Sequence, residues 1–190
     1  SMTFEEALRR RDFTINAMAL RLDTATNLNL QDREAGRAAI VDPFDGRGDL
    51  ARRRIRAVGD PAERFAEDPL RLLRAARQAT QLDFEIAPAT ATAIRVQAHG
   101  LAGISRERVG MELEKLLLAA KPSIGVVLLR DLGLLPYTVP ELLPMVEMQA
   151  KPGRRHKDVF DHVMQVLDKT PPSRELRWAG LLHDIAKPQT

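Results

Sequence analysis

The stretch Glu67-Asp68-Pro69-Leu70-Arg71-Leu72-Leu73-Arg74-Ala75-Ala76-Arg77-Gln78 decides how the chain is read. At about 100° per residue, Glu67, Arg71, Arg74 and Gln78 share a polar sector, while Leu72, Leu73, Ala76 and Ala79 lie opposite. The spacing predicts one amphipathic helix that packs on one face and offers the other to a ligand. Asp68 and Arg71 are close enough in register to approach one planar partner, and a nucleobase is such a partner. An ionised Asp only accepts hydrogen bonds and an Arg only donates them. Cytosine and adenine set an exocyclic amine donor beside a ring-nitrogen acceptor, whereas uracil and guanine set a carbonyl beside a ring N–H. The pair therefore suits C and A and opposes U and G. The same spacing is met by ordinary surface ion pairs, so other stretches must decide between the two.

Working outward, 190 residues with 44% apolar content suffice for a packed core, and an aromatic share of only 4% with abundant Ala, Leu and Arg points to a mainly α protein. Few strands are expected after Val58. The formal charge is only +3, yet arginine clusters at 9–11, 52–56 and 71–77, which suggests a phosphate-rich partner. The absence of cysteine excludes disulfides and thiolate metal sites. No apolar run has membrane-spanning length and no signal peptide opens the chain, so a cytoplasmic protein with no membrane partner is expected. Ser1-Met2 reads as a cleavage scar and Thr190 closely follows a helical segment, so a piece of a longer protein is expected.

Thr3 with Glu6 forms a capping-box pattern that predicts a short first helix. Residues 12–20 then mix apolar side chains with Thr14 and Asn16, polar groups that need fixed partners if buried. Arg11 beside Asp12 would place a cation at a phosphate and an acceptor at a ribose hydroxyl. Leu20, Leu22, Leu28, Leu30, Ile40 and Val41 suggest short strands. The stretch 42–50, with Pro43, Gly46 and Gly48, must bend and reads as a hinge, with Asp49 beginning a helix. Asp60-Pro61 predicts an N-cap and first helical turn, and further helices are expected over 87–101, 105–120, 122–132 and 140–147.

In order, RRDFTINAMA (10–19), DPFDGRGDL (42–50), EDPLR (67–71) and ISRERVGMELEKLL (104–117) resemble motifs B, C, D and E of class II tRNA nucleotidyltransferases, the CCA-adding enzymes, and of the related bacterial poly(A) polymerases. The resemblance covers roughly 3–120. It implies that Arg11 and Asp12 bind the phosphates and ribose, with Arg74 a further candidate for the nucleotide or its phosphates. Asp42, Gly46 and Asp49 would belong to the flexible element, and Glu67, Asp68 and Arg71 would form the protein template selecting CTP or ATP. Glu107, Arg108 and Glu112 would brace the template helix. The partners implied are CTP, ATP and the tRNA 3′ end. The family's metal-binding Asp-x-Asp motif cannot lie before Arg10, so Mg²⁺ for nucleotidyl transfer lacks its ligands here and the chain alone is expected to be inactive.

Three of the four histidines follow Lys151-Pro152-Gly153. His162 on one helix and His183-Asp184 on the next resemble the first ligand and the doublet of HD-superfamily phosphohydrolases, which implies an incomplete divalent-metal site with its last ligand downstream of Thr190. The resulting organisation is 3–58 as the C-terminal part of a nucleotidyltransferase head with a small β portion, 59–150 as a helical neck and body, and 151–190 as the start of an HD-type domain. The functions implied are C and A addition to tRNA, alternatively polyadenylation, or, from another class, HD phosphohydrolase activity with an RNA-binding accessory region.

Overall fold

The computed structural model describes residues 3–20, 39–150 and 159–187. Helix α1 (Phe4–Arg9) begins with the capping box that its sequence predicts: Thr3 Oγ1 accepts from the Glu6 N–H and Glu6 Oε2 from the Thr3 N–H. Strands β1 (Ala19–Leu20) and β2 (Ile40–Val41) pair antiparallel, whereas β3 (Arg54–Ile55) and β4 (Glu85–Ile86) pair in parallel. The expectation of strands around Leu22, Leu28 and Leu30 lies outside the described residues. Between β2 and β3 runs α2 (Gly46–Ala51), whose N-terminus is capped by the Asp42 carboxylate accepting from the Gly46 and Arg47 N–H groups at 2.7 and 2.9 Å. Asp49 thus sits inside this helix and does not begin it, because Asp42 reaches forward to the free amides first.

The body is helical, as its composition implies. Helix α3 (Pro61–Glu67) starts on the Asp60 cap, with Asp60 Oδ1 accepting from Ala62 and Glu63. Helix α4 (Leu70–Leu82) buries Leu70, Leu72, Leu73, Ala75, Ala76 and Ala79. It packs against α6 (Arg106–Leu117) and α7 (Pro122–Asp131), while α5 (Pro88–Gln97) lies on α3. Each fully buried leucine contributes about 2–3 kcal/mol relative to exposure. Short helices α8 (Leu135–Thr138) and α9 (Leu143–Ala150) follow, and Gly133 at φ +71° supplies the left-handed residue after α7. Helices α10 (Val159–Lys169) and α11 (Arg174–Leu182) complete the described chain. Asp168 ties α10 to α7 by accepting from both the Ser123 N–H and hydroxyl.

One helix over 67–78 is not what forms. The chain leaves α3 at Glu67, passes through Asp68 in extended conformation (φ −147°, ψ 99°) and enters α4 after Pro69. Pro69 lacks an N–H, and its ring disfavours helical geometry at the residue before it. Gln78 departs from the predicted polar face as well: it is buried and accepts from Asn16 Nδ2 at 2.9 Å.

Candidate nucleotide site

The break at Asp68-Pro69 gives the two template residues different settings. Asp68 caps the new helix, its Oδ1 accepting from the Leu70 N–H at 3.1 Å, and its carboxylate faces Arg108 at 3.4 Å. Arg71 lies in the first turn of α4 and is held from several sides. Its Nη1 donates to Glu67 Oε2 at 2.7 Å and to the Arg64 carbonyl at 3.0 Å, and its Nη2 to the Arg10 carbonyl at 3.4 Å. The Arg71 guanidinium keeps the Glu67 carboxyl below its usual range, against the opposing effect of burial. Asp68 and Arg71 are therefore fixed by separate partners, and neither spends its charge on the other.

The segment 12–14 reaches this region by pairing with 56–58: Val58 N–H donates to the Asp12 carbonyl and Thr14 N–H to the Arg56 carbonyl. This carries the Asp12 side chain to α4, where Oδ1 lies 2.8 Å from Arg71 Nε and Oδ2 2.9 Å from Arg74 Nη2. At Arg71 the approach is an ion pair without a directed hydrogen bond, since Nε is buried and unpartnered as a donor; Arg74 Nε is likewise buried and unpartnered. Arg10, Arg11, Asp12, Asn16 and Arg74 line a polar cleft of about 450 Å³. Arg11, Asp12 and Arg74 thus meet at one cleft, with Arg71 bound to the same Asp12. A larger cleft of about 750 Å³ shares none of these residues, and its Arg53 is already paired with Asp83 at 2.6 Å.

Asp42, Gly46 and Asp49 are the residues read as a hinge. Asp42 caps α2, Gly46 packs its backbone against the Thr14 carbonyl, and the buried Asp49 accepts from Thr14 Oγ1 at 2.6 Å and Arg56 Nε at 2.7 Å. The motif thereby rests directly on the segment that carries Asp12. Two neighbours of the site, Arg10 and Asn16, had no role assigned from the sequence, and a third, Arg108, was expected only to brace the template helix. Arg10 and Asn16 line the cleft, and Arg108 reaches Asp68 from α6; the unexplained polarity of Asn16 inside an apolar stretch was the available signal. Glu112 braces α4 by binding Arg77, the place expected for it, whereas Arg108 faces the template turn itself.

Far along the chain, His162 and His183-Asp184 also come together. Their candidate ligand atoms all lie within 4.8 Å of one another, with His183 Nε2 3.2 Å and His162 Nε2 3.9 Å from Asp184 Oδ2. His183 Nδ1 lies 2.8 Å from the Gly180 carbonyl, which can only accept, so Nδ1 donates to it and Nε2 is the ring nitrogen turned toward Asp184. Lys187 binds Asp184 and holds its carboxyl below the usual range.

Residues 1–56 match the family described as the poly A polymerase head domain, and residues 83–145 match the probable RNA and SrmB-binding site of polymerase A. An A-adding tRNA nucleotidyltransferase of Deinococcus radiodurans is 40% identical over 98% of this chain and 41% of its own. The chain belongs to the tRNA nucleotidyltransferase and poly(A) polymerase family. A CCA-adding enzyme of Limosilactobacillus fermentum, another member, is 46% identical over 69% of this chain and 30% of its own. The family fold is also that of the Bacillus stearothermophilus CCA-adding enzyme solved in complex with CTP, with TM-score 0.72, 36% identity and coverage of 97% of this chain and 40% of that one. The chain thus spans less than half the length of these relatives.

Family chemistry calls for a divalent metal at the transferring phosphate. The residues at this cleft do not fit one: Asp12, Glu67 and Asp68 are each committed to arginines, and the sequence holds no Asp-x-Asp pair. The His162, His183 and Asp184 set offers donor types that fit part of a divalent-metal shell, with Asp184 shared with Lys187.

Proposed function

We propose that this chain is the nucleotide-selecting and RNA-contacting part of a tRNA nucleotidyltransferase that adds C and A nucleotides to tRNA 3′ ends from CTP and ATP. The observation that carries this reading is the meeting of Arg11, Asp12 and Arg74 at a polar cleft, with Arg71 on the same carboxylate, beside a turn that presents Asp68. Asp68 accepts from the exocyclic amine of cytosine or adenine, and Arg71 donates to the adjoining ring acceptor. Glu67 holds the Arg71 fork in place, Asp12 accepts from the ribose and Arg11 meets the phosphates. In this reading 3–58 complete a nucleotidyltransferase head whose 42–50 element moves as a hinge. Residues 59–150 form the neck and body, which contacts RNA, and 151–190 begin an HD domain. The CTP bound to the Bacillus relative and the A-adding activity named for the Deinococcus relative support this division of roles.

Calorimetric titration of the chain with CTP, ATP, UTP and GTP tests the template. CTP and ATP should bind, UTP and GTP should not, and both Asp68→Ala and Arg71→Ala should weaken binding by about tenfold or more, as for loss of a hydrogen bond to a charged group. Equal binding of all four nucleotides would refute base selection by this turn. Binding of ATP without CTP would instead identify a poly(A) polymerase. With no residues at the cleft suited to the transfer metal, the chain by itself should not extend tRNA lacking its CCA end.

The clustered histidines favour a second activity of another class, metal-dependent phosphohydrolysis, for which His162, His183 and Asp184 would hold a divalent ion such as Mn²⁺ or Co²⁺. The ion would polarise a phosphate ester, while the Gly180 carbonyl keeps His183 Nε2 free to ligate. Co²⁺ absorption titration should show weak binding that His183→Ala abolishes; unchanged binding in the variant would assign the metal elsewhere.

A further inference from the structure

Asp12 is the most heavily shared group in the cleft. Both of its oxygens face guanidinium groups, and its side chain is only 10% exposed. The two arginines differ in their freedom to leave. Arg71 is 14% exposed and is also held by Glu67 and by the Arg64 and Arg10 carbonyls. Arg74 is 37% exposed, and among the described residues Asp12 is its one ion-pair partner. Its Nε is buried without a hydrogen-bond partner, a donor left unmade at a typical cost of about 1–3 kcal/mol. An unpaired buried donor beside a polar cleft marks a place where a ligand supplies what the protein does not.

Resting on the nucleotide-binding reading, we infer that Asp12 and Arg74 form a ribose-operated exchange. A ribose hydroxyl displaces Arg74 from Asp12 Oδ2, and the released guanidinium turns to the triphosphate. The hydroxyl is a neutral donor and by itself a poor substitute for a cation. The exchange becomes favourable only when phosphate oxygens stand within reach of the freed Arg74. Arg71 stays on Oδ1 and keeps the carboxylate in place throughout. Ribose recognition and phosphate recognition are thereby coupled through one side chain, and a nucleotide lacking the hydroxyl leaves Arg74 where it is. Arg74 is the specificity-determining residue for the sugar, although it does not bind the sugar.

The test is a comparison of binding ratios in the 190-residue chain. CTP, 2′-deoxy-CTP and 3′-deoxy-CTP are titrated alongside cytidine and its two deoxy forms, in the wild type, Arg74→Met and Arg74→Lys. In the wild type, CTP should exceed one of the deoxy triphosphates by roughly tenfold, the loss expected for a hydrogen bond to a charged group, whereas the nucleosides should differ far less. In Arg74→Met no guanidinium covers Asp12 Oδ2, so the nucleosides should gain the discrimination that the wild type shows only with triphosphates and the two ratios should become equal, and Arg74→Lys should restore part of the difference. A general weakening of the fold would not change these ratios. If CTP binds but the nucleoside and triphosphate ratios differ in Arg74→Met as much as in the wild type, the exchange is overturned and the nucleotide reading stands. Failure of wild-type protein to bind any cytidine nucleotide overturns both.

Discussion

Arg56→Ala lowers the stability of the folded chain by about 3 kcal/mol, the scale for taking the main cation from a buried carboxylate. Asp49 is fully buried, and its Oδ2 takes hydrogen bonds from Arg56 Nε at 2.7 Å and Thr14 Oγ1 at 2.6 Å. Without Arg56 the carboxylate keeps the Thr14 hydroxyl and the more distant Arg52 at 3.4 Å. The Phe44 carbonyl also loses its donor, Arg56 Nη2. In a domain of this size the change corresponds to a fall in Tm of roughly 6–12 °C. Asp49→Asn should cost less, because it leaves Arg56, 38% exposed, able to find water. The double variant should fall short of the sum of the two, since each removes the same interaction. Urea unfolding of the four proteins measures this. An Arg56→Ala loss no larger than that of Asp49→Asn would show that burial of the carboxylate is not what makes the pair costly to break.

Gly46→Ala is the second large effect and comes from shape alone. A Cβ at Gly46 would lie 2.2 Å from the Thr14 carbonyl oxygen, 2.9 Å from its carbon and 3.0 Å from Met18 Cγ. The obstacle is main chain, and the Thr14 oxygen already accepts from the Ala17 N–H, so no side-chain rotation relieves it. The expected cost is about 3 kcal/mol, the upper end for overpacking. Because Thr14 is two residues from Asp12, the displacement should also weaken nucleotide binding. Gly110→Ala supplies the control. Nothing stands within 4 Å of its Cβ, and it lies inside α6, so the same substitution should stabilise by about 0.5–1 kcal/mol. Thermal unfolding reads both signs, and a Gly46→Ala protein as stable as the parent would remove the close approach from the account of this element.

Together these substitutions probe what seats the 42–50 stretch, read as a hinge, so firmly in the fold. The cap from Asp42, the close approach at Gly46 and the Asp49 ion pair all fasten it to the segment that bears Asp12. Any hinge motion must therefore move as a unit with that segment or break these contacts.

Local chemistry was legible from the residues alone. The caps at Thr3 and Asp60 were readable because donor and acceptor lie within four residues, where chain geometry brings them together. The donor and acceptor types of Asp68 and Arg71, and the mainly helical class, were equally local properties. Pro69 also carried its own signal against a continuous helix over 67–78, but the apolar periodicity runs through it and points the other way. Tertiary structure alone decided who holds whom. Asn16 meets Gln78 across 62 residues, Arg108 meets Asp68 across 40 and Thr14 meets Asp49 across 35. No periodicity encodes such pairings, because they follow from how helices and strands pack. For the same reason Arg71 binds Asp12 and Asp68 turns to Arg108: the fold brings several carboxylates and guanidinium groups within reach, and packing geometry, not spacing along the chain, selects these pairs.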